Sequence, residues 1–137
     1  ITPRTSGIIG VHLGGNTCRV DAIEAIAAKH GLKILFDASH SFGCSRHGRM
    51  VGSFGCAETF SFHATKLFHS IEGGMLTFPE PKIKKTFDYL KNFGFENEVE
   101  VVMPGTNAKM NEMQALMGIL VLQHIDEIIL FKHILIQ

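Results

Sequence analysis

The fold of this chain is decided by residues 6–37, which read SGIIGVHLGGNTCRVDAIEAIAAKHGLKILFD. The first eight of them, residues 6–13, are an apolar run rich in β-branched side chains that ends at a glycine pair, as a buried strand and its turn do. Apolar residues then recur at helical spacing from Val20 to Gly31, a residue type that commonly ends helices in the left-handed conformation. Residues 33–37 are a second apolar run that finishes on an acid. Strand, helix and strand in this order predict a βαβ unit with parallel strands and a right-handed connection.

The rest of the chain predicts two more strands and two more helices. Residues 38–55 are rich in Gly and Ser and predict a loop without regular structure, at the carboxyl edge of the sheet where parallel α/β folds place their ligands. Strands are predicted over 58–62 and 74–78; the connection between them is too short for a helical crossover, so the second should run antiparallel. Helical spacing is found over 81–92, and a single long helix is predicted from Lys109 to the C-terminus. The predicted fold class is therefore α/β: a mostly parallel sheet with one antiparallel strand, its strands in sequence order, flanked by helices.

Composition excludes several classes of function. The chain has 137 residues, enough for one compact domain. Lys plus Arg equals Asp plus Glu at 13 each, so no net field would attract nucleic acid or an anionic membrane. The most apolar stretch, residues 119–136, is interrupted by polar and charged side chains and is not predicted to span a membrane.

The cysteines and histidines do not predict a metal site. The three cysteines are odd in number and widely spaced, which predicts free thiols in a reducing cytoplasm. A zinc site built from His63, His69 and cysteines is an alternative interpretation, but no close Cys or His pair has the spacing of zinc ligands.

Five polar side chains are candidates for chemistry. Lys66 follows the third predicted strand, and partial desolvation there would favour the neutral amine that a Schiff base requires; the alternative is an exposed surface lysine. Asp37 ends a strand and can hold a proton on a heteroaromatic nitrogen; alternatively it is a turn or capping residue. His40 can stack on a ring or bond its hydroxyl, although most lone loop histidines are plain polar residues. Ser61 and Asn107 offer a hydroxyl and an amide that suit a phosphate.

Several segments match one protein family together. They are FDASHSFG (36–43), GSFGCAETFSFHATK (52–66), EGG (72–74), NFGF (92–95) and GTNAKMNEMQA (105–115). In order and rough spacing they resemble the DegT/DnrJ/EryC1/StrS family of pyridoxal-phosphate-dependent sugar aminotransferases. VHLGGNTC (11–18) is similar to the strand–turn–helix opening of that family, with Gly14 at a position where an aromatic residue is common. The resemblance covers essentially the whole chain and implies part of a fold-type-I large domain, as in aspartate aminotransferase.

The resemblance also implies roles for the five candidates. Lys66 matches the lysine that carries pyridoxal 5'-phosphate (PLP) as a Schiff base, which distinguishes transaminases from dehydratase relatives that have His there. Asp37 matches the partner of the pyridine nitrogen, and His40 the residue beside the ring and its hydroxyl. Ser61 matches a hydroxyl that binds the cofactor phosphate. Asn107 matches an asparagine that reaches the phosphate of the neighbouring subunit's cofactor, which implies a homodimer or higher homo-oligomer.

The implied reaction is transfer of an amino group, usually from glutamate, to a nucleotide-linked keto sugar in the cytoplasm. On the same resemblance, residues 1–137 are expected to be the central part of the PLP-binding large domain. The family's N-terminal segment, with its phosphate turn and ring-stacking aromatic, and its C-terminal small domain are then expected to be absent. The alternative is a catalytically inactive remnant that folds and self-associates without turnover.

Overall fold

In the computed structural model, which describes residues 1–136, the chain divides into two compact units. The first unit contains residues 1–79 and the C-terminal segment from Met113 onward, and the second contains residues 80–112. The elements are β1 (Gly7–Val11), α1 (Val20–His30), β2 (Lys33–Asp37), β3 (Ser45–Arg46), β4 (Arg49–Met50), β5 (Ala57–Ser61), β6 (Gly74–Thr77), α2 (Ile83–Leu90), α3 (Glu112–Gln123) and α4 (Ile125–Ile136).

The main sheet confirms the predicted topology. Its strand order is β1-β2-β5-β6, which follows the order in sequence. β1, β2 and β5 are parallel, and β6 returns antiparallel to β5. Gly31 ends α1 in the left-handed conformation, with φ 65°, as the sequence predicts. The register pairs Val11 with Asp37 and Asp37 with Thr59, so three strands finish at the same edge.

Buried and exposed side chains alternate along the strands, so the sheet has one packed face. Phe36 is 1% exposed, and its ring stacks on the ring of His12 at 5.0 Å and meets the edge of Phe54 at 6.3 Å. On the opposite face the neighbouring Leu35 is 47% exposed. The core on the packed face consists of side chains from the strands, from α1 and from the loops, including Val20, Ala27, Ile34, Phe36, Phe54, Phe60, Phe62 and Phe68.

The segment 38–55 is not wholly irregular, so that prediction is wrong in part. β3 and β4 form a short antiparallel hairpin. Its turn residues His47 and Gly48 both have positive φ, at 49° and 79°, as the tightest hairpin turns require. Arg46 anchors the hairpin to α1 by donating two hydrogen bonds to Asp21 Oδ2, at 2.9 and 3.1 Å.

The predicted single C-terminal helix is also wrong, because it breaks at His124 into α3 and α4. The acids Asp126 and Glu127 lie in the first turn of α4, where negative charge stabilises the start of a helix. Among the described residues, neither helix alone is long and apolar enough to cross a membrane. The two together would pass by length and composition, but they are bent by 63°.

The second unit contains α2 and the irregular segment that follows it. The Glu96 carboxylate accepts hydrogen bonds from Lys85 Nζ, at 2.8 Å, and from the Tyr89 hydroxyl. These bonds, the one from Lys85 first, lower the pKa of Glu96 below its ordinary value. Asn92 and Asn107 form an isolated antiparallel bridge within this unit.

Candidate active site

A cleft of about 750 Å³ lies at the carboxyl end of the parallel strands. This is the edge at which open α/β sheets bind ligands. Its walls are the turn 14–16, residues of the loop after β2, Ser61 at the end of β5, residues 65–67, and the α4 side chains Ile129 and Lys132. The predicted residues His40, Ser61 and Lys66 therefore share one cleft.

Asp37 lies immediately before the loop that lines this cleft. Its Oδ1 accepts the N–H of Ser39 at 2.9 Å. Hydrogen bonds from Ser39 hold the pKa of Asp37 below its ordinary value, whereas partial burial opposes the shift; the charge of Lys66 lowers the pKa further, as does His40 when its ring is protonated. The carboxylate is consequently ionised at neutral pH and is suited to a cationic partner.

The backbone turn after β5 places Lys66 in the cleft. The His63 N–H donates to Ser61 Oγ at 3.4 Å, and the Lys66 N–H donates to the His63 carbonyl at 2.9 Å. The Thr65 N–H donates to His63 Nδ1 at 3.3 Å, which fixes the ring over the turn. Lys66 is half-buried, so the structure does not place it as the fully exposed surface lysine of the alternative interpretation.

His40 connects the loop after β2 with the glycine turn. Its Nδ1 accepts the N–H of Gly14 at 3.5 Å, so the proton of the neutral ring is on Nε2. Gly14 has φ 59°, a conformation that glycine adopts without strain. Gly14 therefore offers only backbone to the cleft.

Asn107 belongs to the second unit, where it is exposed. Its Oδ1 accepts a hydrogen bond from Lys109 Nζ at 2.8 Å, and Lys109 lies over the Phe93 ring, 4.3 Å from the centroid. The amide oxygen is therefore turned to Lys109, and the NH2 group, which lies in the same plane, points in another direction.

The sequence did not single out Ser39, Asn16 or Lys132 as parts of the site, although it did draw attention to Gly14. Ser39 could have been predicted from the sequence. An Asp at the end of a strand commonly accepts the N–H of the residue two positions later and so forms a turn. The contribution of Lys132 depends on the bend between α3 and α4, for which no helix-stop signal was recognised. No group of three or more His, Cys, Asp or Glu side chains within residues 1–136 is placed to hold a metal ion.

The sequence model of the DegT/DnrJ/EryC1/StrS aminotransferase family matches residues 1–136. This chain belongs to that family. It is 42% identical over 126 residues to the dTDP-4-amino-4,6-dideoxy-D-glucose transaminase of Shigella dysenteriae, which covers 92% of this chain and 34% of that protein. The resemblance seen in the motifs of this family is confirmed.

Solved structures of sugar aminotransferases share the fold. The crystal structure of DesI in the presence of its TDP-sugar product superposes with a TM-score of 0.84 at 44% identity, covering 93% of this chain and 32% of DesI. The PLP-form of the putative sugar aminotransferase Spr1654 from Streptococcus pneumoniae gives a TM-score of 0.86 at 27% identity, over 93% of this chain and 38% of that one. The present chain spans about a third of the length of the relatives that it matches.

Proposed function

We propose that this chain is the cofactor-binding part of a PLP-dependent aminotransferase. The proposed reaction transfers an amino group from glutamate to a nucleotide-linked keto sugar. The observation that carries the proposal is the placement of Lys66 in one cleft with His40 and Ser61, beside the ionised carboxylate of Asp37. The Shigella relative is named as a transaminase of a dTDP-linked sugar, and DesI was solved with a TDP-sugar, which supports this substrate class.

The donor set of the cleft fits PLP. The Lys66 amine is the group that reacts with an aldehyde, Asp37 can keep a pyridine nitrogen protonated, and the Ser61 hydroxyl can donate to a phosphate. A volume of about 750 Å³ is in the range of small-molecule sites and leaves room for a sugar. When bound, PLP would supply an electron sink for a carbanion.

Each residue would then have a distinct task. Asp37 would orient the ring through its nitrogen, and Ser39 would hold Asp37 in its charged state. Lys66 Nζ would bind the cofactor and, once released, could carry a proton. Asn107 would donate its NH2 group to the phosphate of a neighbouring subunit's cofactor, because Lys109 already occupies its oxygen.

Three further proposals concern the context of the chain. We propose that residues 1–137 correspond to the central part of the PLP-binding large domain. We also propose a cytoplasmic location, since Cys18, Cys44 and Cys56 are all free thiols. A homodimer or higher oligomer is supported by large apolar side chains that α3 and α4 expose, namely Leu116, Ile119, Leu120, Leu122, Leu130 and Phe131.

Isotope transfer tests the proposed activity. The chain is incubated with PLP, 15N-glutamate and a dTDP-linked 4-keto-6-deoxy sugar, and 15N in the sugar is measured by mass spectrometry. Transfer that is lost in Lys66→Ala and retained in Lys29→Ala, a change on the exposed face of α1, supports the proposal. PLP bound at Lys66 without transfer to any keto sugar would favour the second candidate, a remnant that folds without turnover. No attachment at Lys66 would refute the first.

A further inference from the structure

Two fully buried ionisable side chains lie behind the cleft and have no part in the proposed chemistry. His12, just beyond β1, and Glu58, on β5, both have side chains that are 0% exposed. His12 Nε2 is 3.4 Å from Glu58 Oε2. Among the described residues neither atom has a hydrogen-bond partner, so each depends electrostatically on the other. The pair connects two strands that are not neighbours, because β2 lies between them.

Hydrogen bonds determine where the proton of this pair resides. The N–H of Cys18 donates to His12 Nδ1 at 3.2 Å, so Nδ1 carries no proton and the proton is on Nε2, facing Glu58. Glu58 Oε1 accepts the N–H groups of Gly52 and Phe54, at 2.7 and 2.5 Å. The pair is therefore a neutral imidazole whose Nε2–H faces a carboxylate that two backbone donors also stabilise.

The His12 ring closes the base of the turn that forms one wall of the cleft. Residues 13 and 16 exchange two backbone hydrogen bonds of 3.0 Å, and the ring reaches over them to Cys18. The same turn presents Gly14, Gly15 and Asn16 to the cleft, and the N–H of Gly14 is the donor to His40. The tautomer of His12 thus decides whether Nδ1 can accept the Cys18 N–H, the hydrogen bond that closes this wall of the cleft.

We propose that His12 is a positioning residue for the cleft: its Nδ1 holds the turn 13–17, and Glu58 enforces the tautomer that leaves Nδ1 as an acceptor. This inference rests on the proposed function for the claim that the cleft binds PLP and substrate. A residue that only fills the core would have no preference between its two ring nitrogens.

Two substitutions separate the two nitrogens. His12→Asn places an oxygen where Nδ1 lies, so it can accept the Cys18 N–H but cannot reach Glu58. His12→Gln can present an N–H to Glu58 but leaves the Cys18 N–H without an acceptor. Amide hydrogen exchange is measured in the whole chain without PLP, and the Leu32 N–H, bonded to the Ala27 carbonyl at the far end of α1, is the internal reference.

The expected result is a split between the variants. In His12→Gln the amides of Asn16 and Cys18 should exchange roughly threefold to tenfold faster relative to Leu32, which corresponds to the loss of one hydrogen bond. In His12→Asn the exchange rates of these two amides should stay near those of the unsubstituted chain. The melting temperature of His12→Asn should nevertheless be lower than that of His12→Gln, because Glu58 loses its partner. When PLP is added, its affinity should be weaker for His12→Gln than for His12→Asn. Equal acceleration in both variants would overturn the proposal.

Glu58→Gln provides the second test and is isosteric, so it remains informative if a His12 variant fails to fold. Its Oε1 can still accept the two backbone N–H groups, and its NH2 group then faces His12 Nε2 and drives the proton to Nδ1. The expected results are faster exchange at Cys18 and a changed tautomer in the 15N spectrum of the His12 ring. An unchanged Cys18 rate would overturn the proposal. The exchange and 15N measurements need no cofactor, so failure of PLP to attach to Lys66 would count against the proposed function alone.

Discussion

Replacement of Phe36 by Ala should cost far more stability than replacement of its neighbour Leu35, because the two side chains lie on opposite faces of β2. A buried Phe→Ala change typically costs about 3–5 kcal/mol. The upper part of this range is expected here, since a Cβ at Gly10 would lie only 2.6 Å from the Phe36 ring, which shows how closely the sheet backbone surrounds it. Rigid backbone around the ring cannot collapse into the cavity. Leu35 is 47% exposed, so its truncation should cost about 1 kcal/mol.

Urea unfolding followed by far-ultraviolet circular dichroism measures both variants at one protein concentration. With a slope of about 1–3 kcal/mol per molar urea, Phe36→Ala should lower the midpoint by roughly 1–5 M. This loss is a large fraction of the total, because small domains have only about 5–15 kcal/mol of stability. Comparable losses for Phe36→Ala and Leu35→Ala would refute the assignment of the packed face, and with it the direction in which Asp37 points.

Three other predictions follow from the site and its support. Because the pKa of Asp37 is lowered on folding, its contribution to stability is complete above the ordinary value of 3.8 and is lost as the pH falls through the lower folded value. In Asp37→Asn the free energy of unfolding, measured with urea, should therefore fall less steeply below about pH 4 than in the unsubstituted chain. An equally steep fall in both would contradict this. Ser61→Ala should weaken PLP binding by about 10- to 150-fold, the loss of one hydrogen bond to a charged group, in an absorbance titration where Ser53→Ala does not. Gly10→Ala should lower the free energy of unfolding by about 1–3 kcal/mol through overpacking against Phe36, and a neutral result in the same urea assay would show that the ring can yield.

The order and direction of the strands were predictable because they depend on local signals. Apolar runs, the helix-ending Gly31 and the length of each connection are all read from neighbouring residues. The connection between β5 and β6 is too short for a crossover, and this alone set the antiparallel return. Asp37 and Lys66 could be named as candidates because one ends and the other follows an apolar run, but position alone left the alternatives open, and their roles came from the resemblance to the family motifs.

Features that depend on distant contacts were missed. His12 read as an ordinary end of a strand, and only the packing of β5 two strands away shows that Glu58 is its partner. The hairpin in segment 38–55 is stabilised by the hydrogen bond from Arg46 to Asp21. The sequence around either residue gives no sign of this contact. The break at His124 was overlooked because the apolar spacing continues across it, although the two acids after it favour a new helix start.

The central claim is that this cleft binds PLP through Lys66, and peptide mapping after borohydride reduction tests it most directly. The chain is mixed with PLP, reduced, digested and analysed by mass spectrometry, with Lys66→Ala treated in parallel. We predict a pyridoxyl label on Lys66, its loss in Lys66→Ala, and no comparable label on Lys29 or Lys91. Labelling of all three lysines to the same extent would contradict the claim.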